Sequence, residues 1–125
     1  MTPPPAFSLS VQYADTCSQH LFPRYRIRRW VQSAILTPLT CVVRFVSEAE
    51  GRTLNRSYRG KDYATNVLTF LYDDEDEACP HTDIVLCTDV ILREADAQGK
   101  TPLAHAAHLV IHGTLHAQGF GHDSP

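Results

Sequence analysis

The sequence predicts an α+β fold: a single domain in which a mixed sheet of about four strands carries helices packed against it. Three observations predict it. Apolar residues alternate with polar ones near the start, as in a half-buried strand; they recur at helical spacing over 27–35; and two β-rich runs follow one another at 67–72 and 83–87 with no helix-length segment between them. A length of 125 residues suits one hydrophobic core, and 43% hydrophobic content places the chain among globular proteins.

The elements follow in order. Residues 1–5 form a proline-rich tail, expected to be extended and poorly ordered. Phe7, Leu9, Val11 and Tyr13 keep the period of 2 that puts one strand face in the core. Ile27, Trp30, Val31, Ala34 and Ile35 mark an amphipathic helix, with Pro23 near its start and Pro38 beyond its end. Cys41–Val46 reads as a strand, and the Ser47-x-x-Glu50 capping-box pattern begins a helix over about 48–57. Arg59–Asp62 is then a turn or loop, Val67–Tyr72 a strand, and the acids Asp73–Glu77 a solvated loop. Asp83–Cys87 is the fourth strand, after which Thr88 or Asp89 caps a helix running to Gly99. Thr101 and Pro102 supply an N-cap and an N1 proline for a final helix over about 102–118. The expected order is β-α-β-α-β-β-α-α, without repeats or linkers.

Charge is segregated along the chain. Residues 24–61 hold nine of the eleven Lys and Arg against Glu48 and Glu50, whereas the remainder is acidic and brings the net charge to −3. A basic segment of this kind attracts polyanions that a whole-molecule pI of 6.1 would not suggest. Arg24, Arg26, Arg28 and Arg29 crowd the first turns of their helix, where cations oppose the dipole, which points to a partner rather than to local stability. Cys17, Cys41, Cys79 and Cys87 lack CxxC spacing and read as reduced, mostly buried thiols. The first residues have neither the basic nor the apolar region of a signal peptide, and no apolar run approaches membrane-spanning length, so a cytoplasmic location without membrane contact is expected.

The chemistry concentrates in the segment His108–Pro125. Four residues at 100° each bring His112 and His116 to one helix face about 40° apart, the spacing at which two imidazoles grip one metal ion. Gly119 is expected to end the helix in the left-handed conformation, and a turn through Phe120 and Gly121 brings His122 within reach as a third ligand. Three protein ligands leave a tetrahedral ion one open position, the arrangement of a catalytic site. His108 is an alternative third ligand. A row of three along one helix, however, spans about 12 Å, which better suits His108 to supporting the site or contacting substrate. Residue 113 is glycine where the zinc-protease pattern HExxH needs its glutamate base, so peptide hydrolysis by that route is disfavoured.

His112-Gly-Thr-Leu-His116-Ala-Gln-Gly119-Phe-Gly-His122 closely resembles the HGxLHLxGYDH signature of the YbeY family, metal-dependent endoribonucleases of bacterial ribosomal RNA maturation. The segment Leu54–Phe70 is similar to the family's LNxxYRxxDxPTNVLSFP, and Asp83-Ile84-Val85 to its GDIVI strand, with Thr82 in place of glycine. Gly121 stands where the family usually has Asp, and Asp123 is the nearest substitute. The family also commonly continues into a helical tail beyond this point.

The resemblance implies a single-strand-specific endoribonuclease. Its partners would be ribosomal RNA, notably the 3′ end of the small-subunit RNA, and the small ribosomal subunit itself, with a part in ribosome quality control. It also implies one zinc ion on His112, His116 and His122, and a catalytic role for Arg59. Arg24, Arg28 and Arg56 are then expected to hold the RNA backbone, with His108 near the substrate and Asp62, Asn66 and His108 as candidates to position groups. Two rivals remain at this point: a zinc hydrolase of another class, protease-like, and a ribosome-associated module with a structural metal.

Overall fold

The computed structural model describes residues 6–72 and 80–119. The expected tail at 1–5, the acidic loop at 73–77, Cys79 and the segment from Phe120 onward, including His122 and Asp123, lie outside the described residues.

The described chain runs β1 (Phe7–Tyr13), α1 (Thr16–Leu21), α2 (Arg24–Ala34), β2 (Leu39–Val46), α3 (Glu48–Arg59), β3 (Val67–Tyr72), β4 (His81–Cys87), α4 (Thr88–Gln98) and α5 (Pro102–Ala117). The four strands form one mixed sheet in the order β1-β2-β4-β3, with β1–β2 and β2–β4 parallel and β3–β4 antiparallel. Strand β3 therefore lies at an edge, although it precedes β4 in sequence.

The expected order lacked α1. This short helix depends on Asp15, whose carboxylate accepts from the Ser18 amide at 2.7 Å. The same bond holds the Asp15 carboxyl below its ordinary range. Helix α3 runs two residues past its expected end, to Arg59, because Gly60 adopts the left-handed conformation and donates its N–H to the Arg56 carbonyl at 3.1 Å. Its N-terminus is half a capping box. Ser47 Oγ accepts from the Glu50 amide at 3.2 Å, but the Glu50 carboxylate pairs with Arg44 instead of reaching back. Helix α4 begins one residue early, with Cys87 at its N-cap; the Thr88 hydroxyl is engaged by Ser18 Oγ at 2.8 Å.

The two sheet faces differ. On one, Leu39, Cys41, Val43 and Phe45 of β2 and Ile84 and Leu86 of β4 meet Ile27 and Val31 of α2 and Ala106, Leu109 and Val110 of α5. Fully burying a side chain such as Ile27 or Val31 contributes about 1.5–3 kcal/mol, and this apolar seam holds α2 and α5 to the sheet. On the other face Val46, Leu68, Phe70 and Val85 form a smaller cluster against which Leu54 of α3 packs. Of the cysteines described, Cys41 and Cys87 are buried and Cys17 is exposed, in keeping with mostly buried thiols. Burial pushes the Cys41 thiol up to about 12, which makes it an inert core residue.

Candidate functional site

Helix α5 is started by Thr101, whose hydroxyl accepts from the Ala104 amide at 3.1 Å, with Pro102 in the first turn. Its close approach to the sheet is set by Gly113. A β-carbon there would lie 3.3 Å from Ile84 Cγ2 and 3.5 Å from Thr69 Oγ1. Glycine thus lets the helix backbone settle onto β4 and β3, and brings its neighbour His112 and, one turn on, His116 to the margin of the sheet. Gly119 has a φ of 90° and donates to the His116 carbonyl at 3.0 Å, so the helix stops where expected.

His112 and His116 line a cleft of about 330 Å³. Its other walls are Val67–Phe70 of the edge strand and Tyr58 and Arg59 from the end of α3. Arg59 reaches the cleft from a helix terminus rather than from the loop expected for it. Asn55, fully buried, fixes that terminus by donating from Nδ2 to the Tyr63 carbonyl at 2.7 Å. Among the described residues no carboxylate pairs with Arg59, whereas Arg52, Arg44 and Arg93 pair with Asp62, Glu50 and Glu48. Its planar donor fork is therefore available to an oxyanion.

The donor set fits zinc: two imidazoles four residues apart line one cleft that contains no carboxylate among its described walls. No group of three metal-ligating side chains forms among the described residues, and the expected third ligand, His122, lies outside them. His108 is exposed and its ring stacks on His112 with centroids 6.1 Å apart. It flanks the histidine pair without lining the cleft.

A family model described as Endoribonuclease YbeY matches residues 14–125. The chain belongs to the YbeY family. It is 58% identical over 123 residues to the Endoribonuclease YbeY of Herminiimonas arsenicoxydans, covering 94% of this chain and 79% of the relative. Against the protein of the same description from Janthinobacterium sp. (strain Marseille), it is 57% identical over 118 residues, covering 94% and 78%. The fold is similar to the solution structure of TM1509 from Thermotoga maritima, with a TM-score of 0.61 and 26% identity over 92% of this chain and 75% of that one. Membership makes this a family of hydrolases acting on RNA. No described helix is long and apolar enough to cross a membrane.

The two YbeY-like segments thus meet at one place, since described residues of both line the same cleft. Other expected site residues lie elsewhere. Arg24 packs over the Tyr13 ring at 4.9 Å and Arg28 over Phe7 at 5.0 Å, contacts with β1 that do give these arginines a local role. Arg56 lies on the exposed side of α3, 3.8 Å from Asp62. Asp62 is held in two bonds by Arg52, at 2.8 and 2.9 Å, which keeps its carboxyl below the ordinary range. Asn66 donates to Glu94 at 3.0 Å. Neither Asp62 nor Asn66 lines the cleft.

Two residues of the site escaped the sequence reading. Tyr58, 63% exposed, stands beside Arg59 with its ring edge-on to Phe70 at 4.1 Å. Gln118 locks the end of α5: its Oε1 accepts from the Leu36 and Thr37 amides at 2.7 and 3.0 Å, and its Nε2 donates to the Ala34 and Thr114 carbonyls at 2.8 and 2.9 Å. An aromatic residue preceding an arginine at a glycine-terminated helix end was the available signal for Tyr58. Nothing local marked Gln118, because its partners Ala34, Leu36 and Thr37 are more than 80 residues away.

Proposed function

We propose that this chain is a metal-dependent endoribonuclease that cleaves unpaired segments of ribosomal RNA, at the 3′ end of the small-subunit RNA, in the cytoplasm and in contact with the small subunit. The reading rests chiefly on one observation: Arg59, which makes no ion pair among the described residues, lines the same cleft as His112 and His116. His112 and His116, with His122, would hold one zinc ion. Such an ion supplies Lewis acidity for phosphodiester hydrolysis, polarising a phosphoryl oxygen and acidifying water.

The chain's own residues do the rest. Arg59 donates to non-bridging phosphate oxygens and stabilises the charge that grows on them in the transition state. The edge strand and Gly113 contribute further walls of the cleft, and unpaired RNA exposes the bases and backbone that such a site contacts. Tyr58 presents a ring to a base next to the scissile phosphate. Gly113 also disfavours the protease reading, since it lacks the glutamate base and a side chain there would crowd Ile84.

The experiment is cleavage of a single-stranded RNA carrying the small-subunit 3′ end, by parent and His116→Ala proteins whose zinc content and folding are measured alongside. Loss of zinc and of cleavage in a folded His116→Ala protein is the expected result. Equal cleavage by both proteins would refute a catalytic metal here and leave the structural-metal module.

A further inference from the structure

The described residues also form a concavity larger than the histidine cleft. On the opposite face of the sheet, beside α3, a groove of about 660 Å³ is lined by side chains of all four strands. This volume falls in the usual range of roughly 300–1,000 Å³ for ligand clefts. Only α3 covers this face among the described residues, and Tyr72, 44% exposed, remains at the surface.

We propose that this groove binds the bases of unpaired RNA that continues from the cleft over Tyr58. The proposal rests on the endoribonuclease reading above and adds a second contact surface to it. Continuity carries it first: Tyr58 and Phe70 line both the groove and the histidine cleft, so one strand passes from one to the other across the sheet edge.

The chemistry of the walls carries it second. Tyr58 is edge-on to Phe70, and Tyr72 is edge-on to His81 with centroids 5.2 Å apart. Exposed rings on an open sheet face are stacking platforms, tolerant of sequence because every base has a π face. The Tyr72 ring is held in place by its hydroxyl, which donates to Asp83 Oδ2 at 3.0 Å; His81 Nε2 lies 3.2 Å from the other oxygen.

Charge decides which part of the nucleotide enters. The groove's arginine, Arg44, is paired with Glu50, and Asp83 adds a carboxylate, so the lining offers no net attraction for phosphate. Bases therefore face inward and phosphates outward. Binding here comes from stacking rather than counterion release, and its loss leaves the salt dependence of RNA binding unchanged.

The test is binding of a labelled twelve-nucleotide single-stranded RNA, followed by anisotropy in chelator to prevent cleavage, over a salt series, together with steady-state cleavage of the same RNA in zinc. Tyr72→Leu is expected to weaken binding about tenfold with the same slope against salt. It should also raise KM without lowering kcat, while Tyr72→Phe, which keeps the ring, stays near the parent. Parental binding by Tyr72→Leu, or a changed salt slope, overturns the proposal. So does a Tyr72→Leu protein that loses only small-subunit binding, since the groove would then hold a protein. Failure of the underlying reading looks different: the zinc-loaded parent binds RNA through Tyr72 yet does not cleave it.

Discussion

Gly113 and Ile84 approach so closely that a β-carbon on residue 113 would lie 3.3 Å from Ile84 Cγ2 and 3.4 Å from Cδ1. The glycine that separates this chain from the HExxH pattern thus sits at a tight packing contact as well as lacking the base. Gly113→Ala is expected within about 1 kcal/mol of the parent, because improved helix propensity offsets the crowding. Gly113→Glu should cost more than about 2 kcal/mol in urea unfolding and gain no peptide cleavage.

Gln118 ties α5 to the segment joining α2 and β2. Gln118→Glu loses both Nε2 donors and sets a carboxylate against the Ala34 and Thr114 carbonyls, so it should destabilise by roughly 1–3 kcal/mol. On the metal reading, zinc affinity should fall as well, by about 10–100-fold, when measured by chelator competition on the folded fraction.

Arg59 is exposed and makes no ion pair among the described residues, so Arg59→Ala should change stability by no more than about 0.5 kcal/mol. Cleavage should nevertheless drop about 10²–10³-fold with zinc retained. Lysine at 59 recovers only part of this, because an ammonium is a point charge without the planar fork. Unchanged cleavage by Arg59→Ala would remove this residue from the mechanism.

Glu94 carries a predicted pH dependence. Burial pushes its carboxyl up, but hydrogen bonds from His105 at 2.8 Å and Asn66 at 3.0 Å outweigh this and leave it below its ordinary value. A depressed carboxyl stabilises the fold above its unfolded pKa, about 4.3, and loses that contribution as pH falls through the folded value. Stability of the parent should therefore decline below about pH 4.3, and its advantage over Glu94→Gln should shrink in the same window, as read from urea midpoints at stepped pH.

Much of this was legible in the sequence, for identifiable reasons. Period-2 alternation located β1, the run Val67–Tyr72 gave β3 to the residue, and Thr101, Pro102 and Gly119 bounded α5 because caps act locally. The pairing of His112 with His116 followed from helix geometry alone. Helix α1 escaped because one aspartate cap and six residues leave no periodic trace. The ring contacts of Arg24 and Arg28 left no trace in the local sequence, since the aromatic rings beneath them belong to another element. Gln118 was invisible for the same reason: its partners Ala34, Leu36 and Thr37 are distant in sequence.

Arg59 precedes β3, whereas His112 and His116 follow β4, so the cleft has no walls until the antiparallel pair has formed and α5 has docked on it. A nascent or damaged chain lacking any of these contacts has no place to hold a phosphate and is not a stray ribonuclease. Cleavage and cooperative folding should accordingly disappear together along a denaturant series, with quality control of the enzyme built into the order in which its sheet is closed.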